Sequence, residues 1–155
     1  MTSTTKALIL QPDDSRQRII GALSESAIQF TQHSFIDIEP ISVKPLVNPD
    51  YDGVIWISKN AVKFAADAGF RFLPQTSMFA VGPTTARLAA NTFGISAYCP
   101  TYKHDSESLL TLPEMVNVDN QKWLIIKGEK GRDLLFDTLR ARGATVSSID
   151  VYRRV

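Results

Sequence analysis

Short apolar runs alternate along this chain with stretches whose apolar residues recur at helical spacing. Lys6–Leu10 (KALIL) predicts a first strand. Pro12, Asp13, Asp14 and Ser15 predict a turn into a helix, because proline suits a first turn and Asp or Ser accepts from free N–H groups. Ile19, Ile20 and Leu23 form that helix's apolar side, Ala27–Phe30 reads as a second strand, and Phe35, Ile36 and Ile38 run extended to Pro40. The segment Glu39–Asp52 carries Pro40, Pro45 and Pro49 with few helix signals, and reads as a connection between structural units.

Beyond it the pattern becomes regular. Gly53–Ile57 (GVIWI) is a compact apolar run suited to a strand buried on both faces. A helix follows from about Asn60, with Ala61, Phe64, Ala65 and Ala68 on one face and Gly69 as its stop. The unit repeats: strand Met78–Val81, turn Gly82, Pro83 opening a helix, an apolar face of Ala86, Ala89, Ala90 and Phe93, then Gly94. Ile95–Tyr98 is a short strand and Asp105–Leu112 a helix stopped by Pro113. Lys122–Ile126 is a strand, Gly128–Gly131 a loop, Arg132–Arg142 a helix ended by Gly143, and Thr145–Tyr152 the last strand. From Gly53 onward this makes five strands and about four helices. Such alternation implies parallel strands joined by crossover helices, a flavodoxin-like three-layer α/β domain. Residues 1–40 are a single βαβ piece, too small to bury a core alone. The expected organisation is an incomplete first domain at 1–40, a crossing linker at 41–52, and a complete second domain at 53–155.

Composition narrows the function. The chain has 155 residues, 44% hydrophobic and 21% charged, within the globular range; no apolar run approaches the ~18–20 residues of a membrane span, and the N-terminus lacks the pattern of a signal peptide. A single cysteine, Cys99, fits a reducing cytosol and leaves no internal disulfide. The net charge of +1 argues against a nucleic-acid binder. Charge is nevertheless uneven: residues 121–155 hold eight Lys/Arg against four Asp/Glu, and residues 1–40 three against five. Such a basic end is either a solvated helix face or a surface that meets an anion.

In open parallel sheets, ligands gather where strands end and helices begin. Three loops qualify: Ser58-Lys59-Asn60, Gly82-Pro83-Thr84-Thr85, and Lys127-Gly128-Glu129-Lys130-Gly131-Arg132. Free N–H groups and the helix dipole favour an anion at each, and hydroxyls at Ser58, Thr84 and Thr85 can donate to it. The plainer reading of each hydroxyl is a helix cap. The third loop departs from a phosphate-binding GxxxxGK[ST], since Asp133 follows Arg132 and no hydroxyl is placed to hold magnesium. GxGxxG and GxSxG are absent. His33 and His104 stand far apart with no metal-ligand spacing, so no metal site is expected. Tyr152, at the end of the last strand and followed by two arginines, offers a phenol that can act as an acid, or an aromatic whose hydroxyl is tied to backbone.

Three stretches, in order, resemble uroporphyrinogen-III synthases: Tyr51–Val62 (YDGVIWISKNAV), Ala80–Ala86 (AVGPTTA) and Ile126–Val155 (IKGEKGRDLLFDTLRARGATVSSIDVYRRV). The layout ending in Phe35–Pro40 (FIDIEP) also matches. The Thr-Arg-Pro turn of many family members is replaced here by Leu10-Gln11-Pro12, without the arginine. The resemblance implies two α/β domains joined by extended crossings, with this chain ending at the return crossing. It implies a cofactor-free cytoplasmic lyase that closes hydroxymethylbilane, a polycarboxylate linear tetrapyrrole, to uroporphyrinogen III with its last ring inverted. Carried over by motif, Tyr152 is the acid that helps water depart, and Ser58 and Thr85 face the cleft. Thr84, Gly128, Lys130 and Arg132 are further candidates for substrate carboxylates. A non-catalytic α/β module or fragment that binds an anionic small molecule is the alternative, and a chain ending at the return crossing is expected to have little or no synthase activity by itself. Neither nucleic acid nor membrane is an expected partner, and self-association through residues 1–40 is expected of a half-built domain.

Overall fold

In a computed structural model of the chain, residues 6–9, 13–26, 28–32 and 36–155 are described. The Leu10-Gln11-Pro12 turn, Ala27, His33 and Phe35 lie outside them. The chain divides into two compact units, one of residues 1–39 with 154–155 and one of residues 40–153.

In the first unit, β1 (Lys6–Ile9), α1 (Asp13–Glu25) and β2 (Gln29–Gln32) follow one another. β1 and β2 pair in parallel, from Lys6 opposite Gln29 to Ile9 opposite Gln32, in a sheet of two strands. The second strand falls two residues later than Ala27–Phe30. Asp37 and Val155 exchange backbone hydrogen bonds of 3.1 and 2.9 Å.

The remaining strands are β3 (Ile38–Pro40), β4 (Gly53–Trp56), β5 (Ser77–Ala80), β6 (Ala97–Tyr98), β7 (Lys122–Gly128) and β8 (Thr145–Arg154). They form one sheet in the order β3-β8-β7-β4-β5-β6, and the five from β4 to β8 are mutually parallel. The expected α/β architecture is therefore present.

Helices cover both faces. α2 (Lys59–Asp67) and α3 (Pro83–Phe93) bury Ala61, Val62, Ala65, Ala86 and Ala89 on the side of Trp56, whose ring stacks on Phe93 at 5.0 Å and meets Phe72 edge-on at 5.7 Å. On the other side, α4 (Ser106–Leu109), α5 (Pro113–Val116) and α6 (Leu134–Ala141) pack Leu109, Met115, Leu135 and Leu139 against Ile55, Phe79, Trp123 and Ile125. A strand covered on both faces has no polar alternation, which is why Gly53–Trp56 is buried at every position.

Local chemistry sets the helix ends. Pro83 occupies the first turn of α3, and Gly94 closes it in the left-handed region at φ 69°, where glycine has no Cβ penalty. Pro113 opens α5, where the sequence suggested only that it stops the preceding helix; a proline lacks the donor that a first turn leaves unused anyway. The helix expected over Arg132–Arg142 begins at Leu134, because residues 129–133 are spent on the loop. Among the described residues no helix is long and apolar enough to cross a membrane.

Candidate active site

The sheet's strand order reverses at β4. From there the chain steps outward through β5 and β6, then returns to β7 on the other side of β4. In such sheets the crevice outside the carboxyl ends of the two strands flanking the reversal is where ligands sit. Ser58 follows β4 and the Gly128–Arg132 loop follows β7, so two of the three candidate loops flank that crevice.

Ser58 has extended backbone (φ −156°, ψ 165°) and caps α2, its Oγ accepting from the Ala61 N–H at 3.1 Å. The same Oγ lies 3.0 Å from the Tyr152 hydroxyl. The sequence offered a cap or a functional hydroxyl at position 58; the cap is present, and the same oxygen also meets the Tyr152 hydroxyl. The Tyr152 hydroxyl is tied to a side chain, not to backbone.

Tyr152 is only 6% exposed. Its ring faces Phe64 of α2 at 5.9 Å and lies over Gly128, where an added Cβ would fall 2.5 Å from the ring. The pairing between β7 and β8 slips at this point: Lys127 is opposite Asp150, but Gly128 is opposite Tyr152. An extra residue in one strand breaks the alternation of faces, and here the consecutive residues Val151 and Tyr152 are both buried. The Glu129 N–H donates to the Tyr152 carbonyl at 2.8 Å, which holds the bulge closed. Gly128 thus makes room for the acid candidate, a reason for glycine that the loop reading did not contain.

The basic loop is less uniform than the sequence suggests. Lys130 is exposed and adopts φ 62°, a conformation uncommon for a residue with a Cβ. The Arg132 guanidinium donates to a Glu107 carboxylate oxygen on α4, so it stands at the crevice already paired. That hydrogen bond holds the Glu107 carboxyl below its ordinary range. Asp105 caps α4 by accepting from the Ser108 N–H at 2.8 Å, and hydrogen bonding from the Ser108 side chain first, then from that amide, holds its carboxyl below its range. Behind the loop, the Lys127 ammonium lies 3.2 Å from Asp150 Oδ1. The contact is an ion pair without aligned hydrogen-bond geometry, since that oxygen has no hydrogen-bond partner.

The Gly82–Thr85 loop sits one strand further out, after β5. Gly82 caps α3 without any side-chain hydrogen bond, so the amides of the first turn keep their donors. Thr84 is exposed and Thr85 buried. His104 lies beside Gly82, its Cβ 3.5 Å from where a Gly82 Cβ would stand. Ser58, Gly128 and Tyr152 are therefore in one constellation, Lys130 and Arg132 share the loop that Gly128 begins, and Thr84 and Thr85 form a neighbouring helix start. Phe64 and Asp150, which touch Tyr152 and Lys127 respectively, were not among the candidates read from the sequence. Phe64 looked like core by its spacing, and nothing local distinguishes the ion pair from surface charges.

A concavity of about 450 Å³ opens at the opposite edge, among Asp52, Ser77, Gln121 and Trp123 at the amino ends of the strands. The starts of α2 and α3, whose amides favour an anion, stand at the carboxyl edge instead. Among the described residues, no cluster of His, Cys, Asp and Glu is arranged to hold a metal ion.

The uroporphyrinogen-III synthase HemD family model matches residues 18–155. A uroporphyrinogen-III synthase of Salmonella typhimurium is 31% identical over 157 residues, covering 95% of this chain and 64% of that protein. One from Escherichia coli is 38% identical over 104 residues, covering 63% of this chain and 42% of that protein. A crystal structure of a mutant uroporphyrinogen III synthase from Thermus thermophilus matches the fold with a TM-score of 0.71 at 15% identity, over 97% of this chain and 63% of that one. The chain thus spans less than two thirds of the length of these relatives. With the family model matched over most of its residues, the chain belongs to the uroporphyrinogen-III synthase family.

Proposed function

We propose that the carboxyl edge of residues 40–153 holds hydroxymethylbilane and supplies the acid for its closure to uroporphyrinogen III, with inversion of the terminal ring. The observation that carries this reading is the Tyr152 phenol, fixed 3.0 Å from Ser58 Oγ beside the crevice where the strand order reverses. Membership of the uroporphyrinogen-III synthase family supports the choice of reaction, and the crevice at the strand-order reversal supports the choice of site.

In this reading Tyr152 passes its proton to the terminal hydroxyl of the substrate as the carbon–oxygen bond breaks, and water leaves with the bonding pair. The resulting delocalised cation is attacked by the substituted carbon of the distal pyrrole. The ring then detaches and rejoins inverted, and the proton released as it regains aromaticity returns to the phenolate. Folding the chain so that its ends meet is mainly a matter of proximity and orientation. A polycarboxylate suits an edge of dispersed donors: the α3 amides at Thr84 and Thr85, the Gly128 loop and Lys130. No step calls for a cofactor.

The test is the isomer ratio formed from hydroxymethylbilane. Spontaneous closure leaves the ring uninverted, so isomer III above that background supports the reading. Unchanged isomer ratio together with salt-sensitive binding favours a non-catalytic anion-binding module instead.

A further inference from the structure

Ser58 Oγ already accepts one hydrogen bond, from the Ala61 N–H at 3.1 Å, and lies 3.0 Å from the Tyr152 oxygen. A serine hydroxyl has a single proton to give. The amide that it accepts from belongs to the first turn of α2, where the helix dipole presents partial positive charge. That field draws electron density from the serine oxygen and strengthens its O–H as a donor. The geometry points to Ser58 as a positioning residue that donates to the Tyr152 oxygen, so that the phenol proton is turned away from Ser58 and toward the crevice.

This assignment rests on the proposed synthase reading for its use in turnover, but not for its geometry. When Tyr152 transfers its proton to the departing hydroxyl, the Ser58 hydrogen bond remains in place and becomes one to an anion, which is shorter and stronger. The serine proton stays on serine throughout, so the step needs no further acid or base. The arrangement is ready before the reaction: the α2 cap fixes Ser58, Gly128 leaves room for the ring, and the bulge between β7 and β8 sets Tyr152 at the right register. A hydroxyl pair with the opposite direction would spend the phenol proton on Ser58 and leave none for substrate.

The experiment has two arms on the 155-residue chain. Resonance Raman of the tyrosine doublet reports whether a phenol donates or accepts, and the difference from Tyr152→Phe isolates Tyr152. An acceptor-type doublet, lost in Ser58→Gly and restored in Ser58→Thr, is the expected result. Glycine is tolerated at a helix cap, so Ser58→Gly removes the hydroxyl without asking the helix to unfold. A donor-type doublet, or one indifferent to Ser58, overturns the assignment. In the second arm, isomer III formation in Ser58→Gly should fall about ten- to a hundredfold in kcat at little change in KM, as loss of one hydrogen bond to a developing charge implies, and recover in Ser58→Thr. A loss confined to KM, or no recovery with threonine, overturns the role in turnover. If the unmodified chain forms no isomer III, the role of Ser58 in turnover fails for this chain, while the Raman arm still decides the direction of the bond.

Discussion

Gly128 and Tyr152 face each other across the two strands at the carboxyl edge, so closely that a Cβ at position 128 would sit 2.5 Å from the tyrosine ring carbons and 2.9 Å from its hydroxyl. Real Cβ atoms do not approach that near. The absence of a side chain at one position therefore determines where the acid candidate of the other lies.

Gly128→Ala should displace the Tyr152 ring and break its contact with Ser58. Forcing a methyl into a packed site costs about 1–3 kcal/mol, so chemical denaturation should show a lowered midpoint with an unchanged slope. Isomer III formation should fall with it. An alanine variant of wild-type stability would mean that the ring moves at no cost.

Tyr152→Phe keeps the ring and removes the proton. Formation of isomer III should drop roughly a hundredfold, the lower range for general acid catalysis, while binding of hydroxymethylbilane changes less than about twofold. Stability should change by about 1 kcal/mol, the net worth of one hydrogen bond. Equal losses in binding and turnover would show that the hydroxyl holds substrate instead of protonating it.

Glu107 should titrate below an ordinary glutamate, because the Arg132 guanidinium donates to it. A carboxyl depressed in the folded state favours folding above its unfolded pKa, and that contribution is lost as pH falls through the lower folded value. Arg132→Ala should move the Glu107 titration back up, as followed by carboxyl-detected NMR. Asp105, held down by the Ser108 hydrogen bonds, should move much less in the same variant.

Affinity for polycarboxylate tetrapyrroles should weaken as salt is added, since exposed charges are screened over about 8–10 Å at ordinary ionic strength. Lys130→Ala should weaken binding more than Arg132→Ala, because Arg132 already spends its charge on Glu107. Calorimetric titration at two salt concentrations separates the two variants; the reverse order would place substrate against Arg132.

Self-association is expected through residues 1–40. Among the described residues β1 and β2 make a sheet of two strands, a size marginal on its own in water, and Leu8, Ile19 and Ile36 are 59%, 37% and 42% exposed. Light scattering should show mass rising with concentration, and Leu8→Lys should reduce it. A monomer at high concentration with protected amides in Lys6–Ile9 would contradict this.

Periodicity and punctuation carried the α/β alternation, the helix ends at Gly69, Gly94 and Gly143, and the three loops where strands give way to helices. These are local matters: the spacing of apolar side chains, a cap three residues from its amide, a glycine at positive φ. Tertiary structure decided what those loops share. Ser58 and Tyr152 are 94 positions apart, and their meeting depends on β8 lying beside β7, on β7 lying beside β4, and on a one-residue slip between Lys127 and Gly128. That slip leaves no local mark, because a bulge is chosen by the packing of both strands together. The partner that occupies Arg132 is likewise 25 positions away, on the short helix Ser106–Leu109 within the stretch that the sequence read as one helix up to Pro113. Charge along the chain shows how many cations a segment holds. Which of them remain free for an anion depends on the neighbours that folding brings to them.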